Sequence, residues 1–119
     1  MRDKQAAQLS ELEVKRDRTL ADLEAVQAAG KSVKRSLSAF REKQASINDT
    51  YISQLETDGI PEEDRLNTYR EWDRAIRESG EEFDRLTGER ERLHMQELIL
   101  VRMLTELDHQ IDTLKARMA

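Results

Sequence analysis

The sequence predicts an all-α protein, an antiparallel two-helix coiled-coil hairpin that forms one domain. Two long series of positions alternate spacings of three and four residues without a break, as in a coiled-coil heptad. One short stretch between them contains the turn residues, including the single proline. The composition, 38% charged and 4% aromatic, is typical of long helices. We predict helix 1 over about 4–57, a turn at 58–61 and helix 2 over about 62–118.

Helix 1 is predicted from the first series, which we call its seam because these positions should face the other helix. The seam consists of Leu9, Leu12, Arg16, Thr19, Leu23, Val26, Gly30, Val33, Leu37, Phe40, Gln44, Ile47, Tyr51 and Gln54.

The turn is predicted from the stretch "QLETDGIPEEDR". Gly59 suits the left-handed position just after a helix, and Ile60 can fold back onto the last turn. Pro61 suits the first turn of the next helix, whose positive dipole end the following acidic residues complement. So short a link makes the two helices antiparallel neighbours.

Helix 2 is predicted from the second series. Its seam consists of Tyr69, Trp72, Ile76, Ser79, Phe83, Leu86, Arg90, Leu93, Glu97, Leu100, Leu104, Leu107, Ile111, Leu114 and Met118. From the position of the turn, we expect facing residues to have numbers that total about 119 or 120. Examples are Tyr51 with Tyr69, Ile47 with Trp72, Leu37 with Phe83, Val26 with Leu93 and Leu12 with Leu107.

This register explains a glycine inside helix 1, where glycine costs about 1 kcal/mol relative to alanine. Gly30 would face Arg90, whose long side chain needs room to cross the partner helix and reach water. The alternative is that Gly30 only tolerates a local bend.

The motifs in the sequence do not predict a catalytic or cofactor-binding site. "AVQAAGKS" ends like a phosphate-binding loop, but it lacks the earlier glycine and follows a predicted helix rather than a strand. Glu106 with His109 and His94 with Glu97 have metal-ligand spacing, yet all four lie on one helix and the first helix has no histidine. A two-helix hairpin also offers no concave pocket, so we expect a non-enzyme without cofactor or metal.

Composition also restricts the partners and the location. The net charge is −5, which argues against non-specific binding to nucleic acid. No apolar run approaches the length of a membrane span, and the N-terminus has no apolar signal core. With no cysteine either, we expect a soluble cytoplasmic protein.

Two features exceed the needs of a two-helix seam. In "LILVRML" the seam uses only Leu100 and Leu104, which leaves an apolar stripe for a partner, or for a thicker core. The stripe comprises Met95, Leu98, Ile99, Val101 and Met103, with Leu20 at the same level of helix 1. The second feature is the aromatic cluster of Tyr51, Tyr69 and Trp72 near the turn, since tyrosine and tryptophan are enriched at binding hot spots.

Two stretches carry a resemblance to a known family. "LSELEVKRDRTLADLEAVQ" and "DGIPEEDRLNTYREWDRAI" resemble the opening helix and the turn of the FliJ/YscO family. These proteins are the central stalks of export ATPases in flagellar and virulence type III secretion. The chain is shorter than most members and lacks their extended basic C-terminal tail.

The resemblance implies a rod that inserts into the pore of a hexameric ATPase and also contacts the export gate and secretion chaperones. The family's gate-contact positions match Trp72, Ile76, Ser79 and Phe83. The heptad pattern instead assigns these four residues to the seam.

Two other functions stay open: a helical secretion chaperone or adaptor that docks a partner helix on the stripe, and a structural homo-oligomeric coiled coil. For the stalk or the adaptor we expect a monomer or a weak oligomer.

Overall fold

The computed structural model describes residues 2–119, which form two long α-helices. Helix α1 spans Arg2–Glu56 and helix α2 spans Glu62–Met118. The described residues contain no strand. The predicted fold class, an all-α antiparallel helical hairpin, is confirmed, and the predicted helix ends differ from the observed ones by at most two residues.

The link between the helices follows the predicted turn chemistry. Gly59 has a φ of 80°, the left-handed conformation that favours glycine after a helix. Pro61 immediately precedes α2 instead of lying in its first turn. The N–H groups of Asp64 and Arg65 both donate to the Pro61 carbonyl oxygen at 3.1 Å, which starts the helix.

The chain divides into two compact units, which are described separately. The base unit combines Met1–Lys31 with Glu91–Ala119, and the turn unit is Ser32–Arg90. Seam residues form the core of each unit, which confirms the predicted seam of α1 except at its last position, where Gln54 is exposed and the adjacent Leu55 is half-buried. The buried side chains of the base unit are Thr19, Leu23, Leu93 and Ile111, and those of the turn unit are Val33, Leu37, Phe40 and Leu86.

Two threonines near these cores differ in their hydrogen bonding. In the base unit, the Thr19 hydroxyl donates to the Lys15 carbonyl oxygen at 2.8 Å, within the same helix. In the turn unit, the hydroxyl oxygen of Thr87 is buried and has no hydrogen-bond partner among residues 2–119. An unsatisfied buried hydroxyl carries a desolvation cost, so Thr87 is a weak point of the turn unit.

The predicted register is wrong by about one helical turn. In the base unit, Arg16 lies 3.9 Å from Asp108 and Gln27 donates to Glu97 at 3.5 Å, and each pair of numbers totals 124. In the turn unit, the ring centroids of Phe40 and Phe83 are 5.9 Å apart, and those of Tyr51 and Trp72 are 6.1 Å apart. These pairs total 123.

The turn unit explains this displacement. Because the numbers of facing residues total 123 in this unit, the last residue of α1 is level with position 67. The link and the first turn of α2 together therefore cross the gap between the helix axes. That gap is about 8–10 Å in packed helices. The sequence-based register assumed that α2 begins to pair as soon as it begins.

The seam of α2 in the turn unit is also rotated from the predicted one. Tyr69 and Ile76, predicted to face α1, are exposed, and Phe83 is partly exposed although it contacts Phe40. The adjacent small residues Thr68 and Ala75 are half-buried instead. The helix therefore packs through Thr68, Trp72, Ala75, Ser79 and Leu86 in this unit.

Gly30 lies in open surroundings, since a Cβ atom added there meets no atom within 4 Å. It belongs to the base unit, where the observed register places His94 at its level. Arg90 belongs to the turn unit and is exposed. The Gly30–Arg90 pairing stays a prediction, but the register from which it was deduced is not the observed one.

Candidate protein-interaction surfaces

The base unit has a dense group of exposed apolar side chains on α2. Met95, Leu98, Ile99, Val101 and Met103 are between 43% and 57% exposed. All five fall within nine residues, about two and a half turns of helix. Leu100 within this segment and Leu104 just after it are half-buried at the seam.

These five residues surround the free part of the helix instead of forming the predicted one-sided stripe. At about 100° per residue, Val101 and Met103 lie on opposite flanks of the seam residue Leu100. Leu98, Met95 and Ile99 fall between those flanks on the outer side. The five positions cover roughly 200° of the circumference, and we call them the apolar collar.

One flank of the collar reaches a groove between the helices of the base unit. Met103 lines this shallow groove with Leu107, and the other lining residues are charged or polar. On α1, Leu20 is 41% exposed and lies at the level of Leu104 in the observed register. The collar is therefore bordered by polar groups at this groove, and a ligand on one side only would leave much of the collar in water.

The turn unit has a second apolar surface, which follows from the rotated seam. Leu66, Tyr69, Ile76 and Phe83 are 39–53% exposed and follow one side of α2. Asp73 and Gly80 lie on the same side, and a Cβ added at Gly80 would meet no atom within 4 Å. We call these four apolar residues the turn-unit row.

Trp72, predicted to bind a partner, is half-buried and already has two partners within the turn unit. Its indole Nε1–H donates to the Asn48 Oδ1 atom at 2.9 Å, and its ring stacks on Tyr51 at an interplanar angle of 14°. A buried tryptophan normally needs such an acceptor. Trp72 therefore fixes the two helices to each other, while Ile76 is the more accessible of the two predicted residues.

The motifs weighed for catalysis or cofactors lie on regular helix. Gly30, Lys31 and Ser32 are internal residues of α1, so their N–H groups belong to the helical ladder and form no phosphate-binding loop. Over residues 2–119, no group of three or more histidine, cysteine, aspartate or glutamate side chains has the arrangement of a metal site. Neither helix, over the same residues, is long and apolar enough to cross a membrane.

No protein-family model matches the sequence, and no curated protein or solved structure matches it either. The two surfaces themselves are therefore the basis for a functional proposal.

Proposed function

We propose that this chain is a non-enzymatic protein-interaction component that binds a larger protein through the apolar collar. The supporting observation is the exposure of five large apolar side chains within nine residues of α2. Burial of a whole aliphatic side chain contributes about 1.5–3 kcal/mol. Because about half of each side chain is exposed, complete coverage would contribute about 4–7 kcal/mol towards the free energy of association.

The angular spread of the collar favours a partner that surrounds the helix. One docked helix covers a single stripe, so it would leave Val101 or Met103 in water. A ring-shaped partner contacts several sides at once, so it could cover the apolar residues on both flanks together, with a polar group for the exposed Arg102 that lies among them.

A central stalk in the pore of a hexameric ATPase matches this requirement. We therefore propose the function that the FliJ/YscO resemblance implies, a cytoplasmic stalk or escort of a type III secretion export ATPase. The export gate and secretion chaperones are its further partners in this proposal. The exposure of Ile76 and Phe83 makes them accessible for the implied gate contact, whereas Trp72 and Ser79 are half-buried.

Lysine substitutions on opposite sides of the collar test this function. Val101→Lys, Ile99→Lys and Met103→Lys each introduce a charge at an exposed position, so each variant should keep its helix content and melting temperature. Binding to a hexameric export ATPase in a pull-down, and stimulation of its ATP hydrolysis, should weaken in all three variants. Thr50→Lys/Ser53→Lys is the control with exposed, polar starting residues on α1 of the turn unit, and it should bind normally.

The pattern across the variants distinguishes the alternatives. Loss of binding on one flank only indicates a single docked helix, as in a chaperone or adaptor, and contradicts the stalk. If all three variants bind the ATPase normally, the collar is not the binding interface. Unfolding of the variants would show that the collar is internal core.

A further inference from the structure

We infer that the turn-unit row binds a second copy of this chain, with the two α2 helices antiparallel and Ile76 at the two-fold axis. Tyr69, Ile76 and Phe83 are spaced by seven residues, the repeat at which one helix packs along another. Their exposure shows that α1 leaves part of each side chain uncovered. This surface lies in the turn unit, so the inference does not depend on the function proposed for the collar. Because it uses Ile76 and Phe83, the dimer and the implied gate contact would exclude each other at this surface.

The row is self-complementary about Ile76. Tyr69 lies seven residues before it and Phe83 seven residues after it, so in an antiparallel pair each faces the other in the second copy. The contact would then have three apolar layers, with isoleucine on isoleucine between two tyrosine–phenylalanine layers. Offset or edge-to-face aromatic pairs of this kind are favourable beyond the area that they bury.

The charges beside the row are self-complementary in the same arrangement. Arg70 and Asp84 each directly follow a row residue, and both are exposed. They lie six residues before and eight after Ile76, so Arg70 approaches the Asp84 of the second copy. Asp73 and Arg77 already form an ion pair at 2.8 Å within one copy. The two-fold axis brings this pair beside the same pair of the second copy, so that the Asp73 of each copy lies near the Arg77 of the other. A second copy of this helix therefore matches both the apolar and the charged pattern of the surface.

The size of the row indicates a weak dimer. A half-exposed aromatic side chain offers on the order of 100 Å². Four such residues offer less than the roughly 800 Å² per partner of a standard stable interface. The dimer should therefore form with increasing protein concentration and dissociate on dilution.

Engineered cysteines test the arrangement directly, because the chain has no cysteine of its own. Ile76→Cys should give a disulfide-linked dimer under mild oxidation, since the two copies of this residue meet at the axis. Arg74→Cys is the matched control, exposed on the same helix but about 160° away from Ile76, and it should stay monomeric. Tyr69→Cys should also stay monomeric, because antiparallel packing separates the two Tyr69 residues by 14 positions, about 21 Å.

Sedimentation equilibrium tests the non-covalent dimer. Ile76→Lys should weaken it by about tenfold or more while circular dichroism shows unchanged helix content. Arg70→Glu should weaken it too, and Arg70→Glu/Asp84→Arg should restore it. Ile99→Lys/Met103→Lys, which changes only the collar, should dimerise as the parent does, so failure of the proposed function leaves this measurement intact.

Several results would overturn the inference. A parent protein that remains monomeric at every concentration excludes the dimer, and so does equal crosslinking by Ile76→Cys and Arg74→Cys. Efficient crosslinking of Tyr69→Cys, or a failure of the double charge reversal to restore association, excludes the antiparallel arrangement. If Ile76→Lys still dimerises while Ile99→Lys/Met103→Lys does not, the second copy binds the collar instead.

Discussion

Alanine substitutions at Ile111 and Ile76 should differ strongly in their effect on stability. The heptad pattern assigns both residues to the seam of α2, and they are chemically identical. In the structure, Ile111 is 1% exposed in the base unit and Ile76 is 47% exposed in the turn unit. A comparison of the two variants therefore measures how much the rotation of the seam changes the contribution of an isoleucine side chain to the free energy of unfolding.

The expected magnitudes follow from these exposures. Removal of a buried isoleucine side chain costs about 2–5 kcal/mol, and the lower half of this range suits a thin two-helix core. For Ile76, only about half of the transfer free energy of 1.5–3 kcal/mol is at stake. The better helix propensity of alanine offsets this loss of stability by a few tenths of a kcal/mol. We therefore expect a loss of about 2–3 kcal/mol for Ile111→Ala and less than about 1 kcal/mol for Ile76→Ala.

Urea denaturation measures the difference, with circular dichroism for both variants and the fluorescence of Trp72 as a local probe of the turn unit. The protein concentration should be low, so that a dimer through Ile76 does not contribute. Equal losses within about 0.5 kcal/mol, or a larger loss for Ile76→Ala, would refute the rotated seam.

Three further substitutions test local features by denaturation. Gly30→Ala should stabilise by about 0.5–1 kcal/mol, because an added Cβ meets open space and the unfolded chain loses freedom; a destabilised variant would show that Gly30 is needed for packing. Gly59→Ala should cost about 1–2 kcal/mol because of the positive φ, and an unchanged midpoint would show that the turn relaxes without cost. Thr87→Val should stabilise by about 1 kcal/mol by removing an unsatisfied hydroxyl, whereas Thr19→Val removes a satisfied one and should not stabilise. Equal gains for the two valine variants would contradict the role assigned to hydrogen bonding.

The heptad pattern predicted the helices and the core of the base unit, and the stretch 59–61 predicted the turn, because these features depend on local sequence. Hydrophobicity alone places three residues in this core: Leu23, Leu93 and Ile111. Their side chains have no polar group that needs a hydrogen bond, and no adjacent residue on the same helix competes for the core position. Gly59 likewise fixes the end of α1 through its own backbone conformation.

The register and the orientation of α2 near the turn could not be deduced in this way. They depend on pair interactions between the helices, in which Trp72 donates to Asn48 and stacks on Tyr51. Small residues such as Ala75 then lie at the seam, and the larger Ile76 beside it remains exposed. A rule that assigns the largest apolar residue to the core selects the wrong neighbour at these positions.

The collar residues were predicted as a group, but their arrangement was not. "LILVRML" shows an excess of apolar residues in the sequence alone, and only the burial pattern shows which sides of the helix stay free. The heptad pattern did not predict the turn-unit row as a surface, because it assigned three of the row's members to the core; only the family resemblance pointed to Ile76 and Phe83 as contact residues. The α2 sequence contains more large apolar residues than α1 could cover. This excess was the signal from which the row could have been found.

The unequal distribution of exposed apolar residues has a consequence for synthesis. The collar and the turn-unit row both lie on α2, whereas α1 exposes few large apolar side chains, among them Val14 and Ile52. On the ribosome, the helix with fewer exposed large apolar side chains is therefore completed first. The 57 residues of α2 follow over about 3–11 s at ordinary elongation rates, and each new turn can pack against α1, which is already made. A circular permutant that reverses this order would expose the collar and the turn-unit row before α1 is made, and it should aggregate more during expression while its folded stability changes little.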